Sequence, residues 1–311
     1  MADLTRNPII WQEVNYQQRS TPRLTPHWHL IGPLLLGVCI IVLLLTLTRI
    51  DYPTRDIGLC VIWIVHAATV VRAISVGGNT ISREHVGMTW DALVLTGVSA
   101  RQILLGKWSA ALQRIGPWML ALGLLRLAML PIFMLAMVNR LAWRNILYGS
   151  YYDWTIAWIP AAAIFAVFAT VVMTILEVLA STALGLASSA VTRRGGIALV
   201  TALTIRFLPV ALFAALTRYE LGPIPAYRAV RYAPFAIADS GTSPLSILAL
   251  PRLPGNTTLG FDAVYGLFLA GVVLIILLFT SILIAWIAIR RSGALPHPRH
   301  NAITNRRDTE Q

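Results

Sequence analysis

Two long apolar runs constrain this chain more than any other feature of its sequence. Residues 30–48 and 263–289 contain no charged side chain, and each is long enough to approach or exceed the ~20 residues that a helix needs to cross a bilayer. Only 12% of the residues are charged and the mean hydropathy is +0.70, whereas soluble domains carry about a quarter charged residues. Because backbone polar groups in lipid must be satisfied within each segment, these runs predict an all-α integral membrane protein.

Hydropathy along the chain predicts six transmembrane helices. Their expected bounds are 30–48, 57–76, 115–138, 154–192, 195–217 and 263–289. The fourth run is longer than a bilayer requires, so it can project beyond the membrane. Together the spans form a transmembrane domain at 30–290, which follows a polar segment at 1–29 and precedes a basic, disordered tail at 291–311.

Lys and Arg are unevenly distributed between the two sides of this arrangement. More of them lie on the side that holds both termini, the 77–114 loop, Arg193 and Arg194, so the positive-inside rule predicts that both termini are cytoplasmic. This bias, together with contact with anionic lipid, accounts for the net charge of +12, and no nucleic-acid partner is expected. We expect a multi-pass protein of a bacterial plasma (inner) membrane.

Two segments outside the spans have a recognisable pattern. Residues 7–20 begin with Asn7 as a helix N-cap and Pro8 at the first helical position, and Trp11 shares an apolar face with its helical neighbours, which predicts a helix lying on the membrane surface. The loop at 218–261 is long and rich in proline, which is typical of a functional loop. Its apolar stretch at 244–250 is expected to dip into the outer leaflet.

The polar island at 82–107, between the second and third expected spans, carries consecutive helix signals. Thr89 is a candidate N-cap for a short helix at 90–95 that stops near Gly97. Ser99 and Gln102 then form a capping box, which starts the helix leading into the third span. The island therefore reads as a compact knuckle of two breaks around one short helix.

The short helix has an apolar face formed by Trp90, Leu93 and Val94. Two interpretations of this face stay open from local physics. It can rest on lipid as an interfacial helix, or it can be a docking knob for a soluble partner.

The island sequence ISREHVGMTWDALVLTGVSARQILLGK resembles the cytoplasmic loop of ABC-2-type transporter permeases, in which a segment of this kind forms the coupling helix. The matching positions are Glu84, Gly87, Thr89, Leu93, Leu95, Thr96, Ser99, Ile103, Leu104, Gly106 and Lys107. The opening NPIIWQE is similar to the amphipathic connecting helix of the same family, with Glu13 at its acidic position. Six spans with cytoplasmic termini agree with this resemblance.

The resemblance implies a permease subunit that works as an exporter. A separate ATP-hydrolysing subunit would bind the coupling helix and hold ATP and Mg²⁺, and a second permease copy or a paralogue would complete the transport path. The residues implied in coupling are Glu84, Thr89, Trp90, Asp91, Leu93, Val94 and Thr96.

The chain itself is not expected to bind a cofactor or to be an enzyme. Gly106 and Lys107 match the end of a phosphate-binding loop, but Arg101 and Trp108 stand where that motif needs Gly and Ser/Thr. No transported substrate is indicated by any motif.

Charged side chains lie within the expected spans. Arg126, Glu177 and Arg206 are placed at comparable depth, and lone charges there cost several kcal/mol, so an ion-paired cluster is predicted. The cluster is either a brace between helices or a polar lining of the transport path. His66 is expected to be hydrogen-bonded rather than catalytic.

Small residues recur every four positions in the fourth span, at Ser181, Gly185 and Ser189. This spacing lets two helices approach closely. The partner helix is either another helix of the same chain or a helix of a second copy.

Two other functions compete with transport. A membrane scaffold would use the same knuckle to recruit a soluble partner. An intramembrane enzyme would need a catalytic constellation, but the spans contain no HExxH, no GxSxG and no paired carboxylates, and Glu177 is the only acid well inside them.

Overall fold

The structure of this chain, a computed structural model, describes residues 52–95, 98–148, 159–216, 234, 236–239 and 259–294. The described elements are α-helices: α1 Tyr52–Val86, α2 Trp90–Leu95, α3 Ala100–Tyr148, α4 Ile159–Thr192, α5 Gly195–Leu216 and α6 Leu259–Ala294. The expected span at 30–48 and the surface helix with Pro8, Trp11 and Glu13 lie outside the described residues. So do Thr96, the stretch at 244–250 and the tail from 295 onwards.

Four of the described helices contain stretches that are long and apolar enough to cross a membrane: Cys60–Val86, Ala163–Thr192, Gly195–Leu216 and Gly266–Ser292. The part of the chain that the structure describes is therefore all-helical, and its apolar helices are those of a multi-pass membrane protein. The six spans and the cytoplasmic position of both termini stay predictions, because the described residues include neither terminus.

The helix of the second expected span continues ten residues past its predicted end at 76 and stops at Val86. Two consecutive glycines, Gly77 and Gly78, weaken the sequence signal for a helix at this point. The structure gives Gly77 a packing role instead, because a Cβ atom there would overlap the backbone carbonyl of Thr182 on α4. Tertiary packing thus overrides a poor local propensity.

Helices α1 and α4 cross in close contact around two glycines. A Cβ atom on Gly185 of α4 would overlap the backbone of Ile74, just as one on Gly77 of α1 would overlap α4. Four residues further along α4, the Ser189 hydroxyl accepts a hydrogen bond from the backbone N–H of Ser82 at 2.8 Å. Gly185 and Ser189, two of the three small residues predicted to allow close approach, therefore pack against another helix of the same chain.

Helix α4 is the centre of the bundle and contacts α1, α3, α5 and α6. Its residues at 181–189 are all buried. Helix α5 follows after Arg193, which has a left-handed φ of 58°, and presents a buried face of Ala198, Ala202 and Arg206 to its neighbours.

Two apolar clusters lie at opposite ends of α4. One joins α2 to the ends of α1, α4 and α6 and to the start of α3. The other joins the segment at 236–239 to α4 and α6, through Ile237, Met173 and Leu274 among others. The first end carries the knuckle; the charged side chains lie towards the second.

Candidate functional site

Two regions hold the residues that the sequence marks as functional. The first is the knuckle, defined as residues 87–99, at one end of the bundle. The second is the buried charge network, defined as His66, Arg126, Glu177, Arg206 and Asp239.

The turn before α2 is built by backbone hydrogen bonds to the last turn of α1. The N–H of Gly87 donates to the carbonyl of Arg83 at 2.8 Å, and the N–H of Thr89 donates to the carbonyl of Glu84 at 3.0 Å. Met88 lies between them with a φ of 55°, a left-handed conformation that costs a non-glycine residue about 1 kcal/mol. The left-handed conformation of Met88 is therefore maintained by the hydrogen bonds of Gly87 and Thr89 to α1, and not by the intrinsic backbone preference of Met88.

Thr89 occupies the N-cap position of α2, as predicted, since its carbonyl accepts from the N–H of Leu93 at 3.0 Å. Its hydroxyl donates to the carboxylate of Glu84, which joins the N-cap residue to the last turn of α1.

The capping box at the start of α3 is confirmed. The backbone N–H of Gln102 donates to the Ser99 hydroxyl at 3.3 Å, and the backbone N–H of Ser99 donates to the Gln102 side-chain oxygen at 3.1 Å. This reciprocal pair starts α3 one residue after Ser99.

The apolar face of α2 is turned into the chain's own core. Trp90 is 5% exposed and Leu93 is 9% exposed, and both belong to a cluster with residues of the four long helices α1, α3, α4 and α6. The imidazole of His85 stacks on Trp90 with ring centroids 4.7 Å apart. Neither interpretation of the sequence, lipid contact or partner contact, anticipated this placement of Trp90 and Leu93.

The outward surface of the knuckle is formed by other side chains. Met88 is 88% exposed and Leu95 is 76% exposed, and Asp91 is also exposed on the same short helix. Val86, at the end of α1, is 76% exposed. The side chain of Val94 lies outside the described residues.

An ion pair braces the base of the knuckle. The residue Lys107 is 2% exposed. Its Nζ atom donates to Oε1 of Glu84 at 2.6 Å. Glu84 belongs to α1 and Lys107 to α3, so the pair joins the two helices that flank α2.

The buried charge network contains the three spanning charges that the sequence predicted to pair. Nη2 of Arg206 donates to Oε1 of Glu177 at 2.8 Å, and Nη2 of Arg126 lies 3.6 Å from Oε2 of the same carboxylate. All three side chains are 1% exposed or less. These contacts agree with the predicted ion-paired cluster of Arg126, Glu177 and Arg206.

The structure adds two residues that the sequence did not place in this network. Nη2 of Arg126 donates to Oδ1 of Asp239 and lies 3.0 Å from Nδ1 of His66, while its Nη1 donates to the Thr174 hydroxyl at 2.7 Å. Asp239 belongs to the loop predicted at 218–261. Glu177 is still the only acid within the expected spans that belongs to this network, and the second carboxylate comes from outside those spans.

A signal for Asp239 exists in the sequence. The acid follows a short apolar segment, and in the structure Pro234, Ala236 and Ile237 are buried together with it. An acid that directly follows an apolar segment is a candidate for burial with it, because such a segment is tolerated inside a membrane protein only where protein surrounds its backbone.

The tautomer of His66 follows from its two neighbours. Nε2 lies 2.9 Å from the carbonyl oxygen of Ala238, which only accepts, so Nε2 carries the proton. Nδ1 faces the guanidinium of Arg126, which only donates, so Nδ1 accepts. His66 is thus neutral in this arrangement, as expected for a hydrogen-bonded histidine, and two arginines balance two carboxylates.

The same residues have the composition of a metal site. His66, Glu177 and Asp239 offer ligand atoms that all lie within 4.8 Å of one another. However, Nη2 of Arg126 is already in contact with all three side chains. The guanidinium supplies the cation of this cluster, and the three residues are its counter-ions and hydrogen-bond partner rather than metal ligands.

No protein-family model, no curated protein and no solved structure matches this chain. Fold and site together define a multi-pass membrane protein whose described helices carry a packed knuckle at one end and a balanced charge network in their interior.

Proposed function

We propose that this chain is the permease subunit of an ATP-driven exporter, in which α2 transmits the motion of a separate ATP-hydrolysing subunit. The observation that supports the proposal best is the packing of α2 against the helix bundle. Trp90 and Leu93 pack among the ends of four long helices, so α2 is fastened to the bundle rather than laid on its surface. The resemblance of the island to ABC-2-type permeases supports the same function.

The packing of α2 against the long helices explains how a force on the knuckle would reach those helices. Protein interiors are close-packed and transmit displacement rather than absorbing it. A partner that pushes on the exposed face of α2 therefore moves the ends of α1, α3, α4 and α6 together. A helix that floated on lipid would lose most of that displacement.

The exposed side chains provide a contact surface for such a partner. Met88 and Leu95 are large and apolar, yet they project from a polar turn and a short helix. Asp91 adds a charge to the same helix. A small apolar centre with a polar rim is the usual composition of a protein interface.

The Glu84–Lys107 pair contributes a strut to this mechanism. It joins the end of α1 to α3 on either side of the knuckle. Thr89 is attached to the same carboxylate. The turn, α1 and α3 are expected to move as one unit when the partner binds or releases ATP.

The transport path would lie between this chain and a second permease copy or a paralogue, and ATP and Mg²⁺ would be held by the partner. In this proposal the buried charge network keeps α1, α3, α4 and α5 together while the knuckle end moves. Its members come from each of these helices.

A mild-detergent capture of the tagged chain from its native membrane tests the proposal. The wild type is expected to retain a P-loop ATPase, and a Met88→Gln/Leu95→Gln variant is expected to lose it, because only exposed contacts are changed. Val191→Gln is the matched control, since Val191 is 60% exposed on the last turn of α4.

Other outcomes of this capture assign the chain differently. Equal capture by the wild type and the double variant rules out α2 as the docking element. A stoichiometric partner without a P-loop favours the membrane scaffold, and a clean preparation without a partner removes the basis for coupled transport.

A further inference from the structure

Several polar atoms of the buried charge network lack a hydrogen bond, and Oε2 of Glu177 and Oδ2 of Asp239 are the two oxygens among them. Oε2 of Glu177 is buried and has no hydrogen-bond partner, although it lies 3.5 Å from Nδ1 of His66. A buried charged acceptor without a hydrogen bond is unfavourable, even with Nη2 of Arg126 at 3.6 Å from Oε2. The neutral His66 cannot relieve this cost, because its Nδ1 carries no hydrogen.

We propose that the buried charge network is a proton-binding site, with Nδ1 of His66 as the acceptor. We further propose that proton binding loosens the packing of the segment at 236–239 against the helices. The proton comes from water and forms one N–H bond. No covalent bond breaks and no group is oxidised or reduced. The charge of the network rises from zero to +1.

The geometry around Nδ1 supports this assignment. A hydrogen on Nδ1 would supply the missing donor to Oε2 of Glu177, and Oδ1 of Asp239 lies at a similar distance, 3.6 Å. Two carboxylate oxygens are therefore placed to stabilise an imidazolium. Nε2 keeps its bond to the carbonyl of Ala238 in both states.

Proton binding conflicts with one existing contact. Nη2 of Arg126 lies 3.0 Å from Nδ1, and after protonation both atoms would be donors and both groups cations. Arg126 must then move away from His66, while its Nη1 is still held by Thr174. The contacts that move with it are those of Nη2 with Asp239 and with Oε2 of Glu177.

The segment at 236–239 is the part of the network that this movement would release. Its polar contacts with the bundle include the carbonyl of Ala238 on His66 and the carboxylate of Asp239 on Arg126, beside the apolar packing of Ala236 and Ile237. The other members of the network belong to the long helices α1, α3, α4 and α5. Loosening the segment admits water, which solvates the added charge.

The charged groups that surround His66 come from several of the described elements. Helix α3 contributes Arg126, α4 contributes Glu177, α5 contributes Arg206 through Glu177, and the segment contributes Asp239. On α1 itself the Trp63 ring stands edge-on to the imidazole, with centroids 6.2 Å apart. The proposal does not depend on an ATPase partner.

Nuclear magnetic resonance of the full chain in lipid nanodiscs, with ¹⁵N-labelled histidine, tests the first half of the proposal. The six histidines are separated by comparison with His66→Gln. His66 is expected as the Nε2–H tautomer at neutral pH and with both nitrogens protonated at acidic pH. A His66 that stays neutral until the protein unfolds overturns the proposal.

Cysteine labelling tests the second half. Ala238→Cys is prepared in a background with both native cysteines replaced by Ser, and its labelling by a water-soluble thiol reagent is divided by that of Leu95→Cys at the same pH. The ratio is expected to rise several-fold from neutral to acidic pH. A constant ratio overturns the link to the segment.

Two substitutions of His66 separate proton binding from simple packing. Asn retains an acceptor near the position of Nδ1, and Gln retains a donor near that of Nε2, but neither amide takes up a proton. Both variants are expected to show a ratio that does not change with pH. If the ratio still rises in either folded variant, His66 is not the proton acceptor.

Discussion

Lys107 and Glu84, 23 residues apart in the chain, form an ion pair in which Nζ and Oε1 are 2.6 Å apart. The Lys107 side chain is 3% exposed and that of Glu84 is 12% exposed. Both residues belong to the motif that resembles the permease loop. Their pairing gives the Lys that ends this motif a structural role, in place of the phosphate-binding role that its Gly-Lys pattern superficially suggests.

Removing this ion pair is expected to destabilise the protein. Lys107→Met leaves a largely buried carboxylate without its nearest cation, and a hydrogen bond to a charged group contributes about 1.5–3 kcal/mol. A loss of this size in the free energy of unfolding should lower the thermal midpoint in detergent. The double variant Glu84→Gln/Lys107→Met should lose less than the sum of the single variants; additive losses would show that the two groups do not interact.

Gly185→Ala is expected to disrupt the α1–α4 crossing. The added methyl group would overlap the backbone of Ile74, which cannot rotate away as a side chain can, so a loss of several kcal/mol is expected. Gly123→Ala on α3 is the matched control, because nothing lies within 4 Å of its Cβ position, and it should stabilise the chain by about 0.5–1 kcal/mol. Thermal unfolding measures both, and equal effects would contradict close packing at Gly185.

Arg206→Leu is expected to destabilise the chain strongly. The substitution leaves the buried Glu177 without its closest ion pair, and breaking a buried pair in this way costs about 3–5 kcal/mol. Arg206→Leu/Glu177→Leu removes both charges of that pair but leaves Arg126 with one carboxylate fewer, so it should recover only part of the loss. Arg194→Leu, at an exposed position, serves as the control. A measured midpoint of Arg206→Leu close to that of the wild type would contradict the brace.

Trp90 and Leu95 separate core packing from docking on the same short helix. Trp90→Ala removes a buried aromatic side chain and should lower the free energy of unfolding by about 3–5 kcal/mol. Leu95→Ala changes an exposed residue and should stay within about 0.5 kcal/mol of the wild type, while still weakening capture of the ATPase. If Leu95→Ala leaves capture unchanged, the exposed face is not the contact surface.

Local sequence patterns predicted the local features of the knuckle well. The bounds of α2 and the capping box of Ser99 and Gln102 depend on residues three or four positions apart, so short-range rules are sufficient for them. That Glu177 pairs with an arginine was also predictable, because an unpaired charge within a span is too costly, but the sequence did not choose between Arg126 and Arg206.

The direction of the apolar face of α2 was not predictable in the same way. An amphipathic pattern specifies that Trp90 and Leu93 share a face, but it does not specify what covers that face. The cover comes from residues such as Leu186 and Ile289, which lie far away in the chain. The continuation of α1 through Gly77 likewise depends on the backbone of α4.

The sequence by itself determined the class of this protein, its main apolar helices and the need to neutralise its buried charges, because these follow from the length of apolar runs and from the cost of charge in lipid. Only the tertiary structure decided which groups meet. It brought Asp239 from a proline-rich loop to Arg126 and His66, and it placed Lys107 on Glu84. Contacts of this kind depend on how whole helices and loops pack, which no local spacing rule encodes.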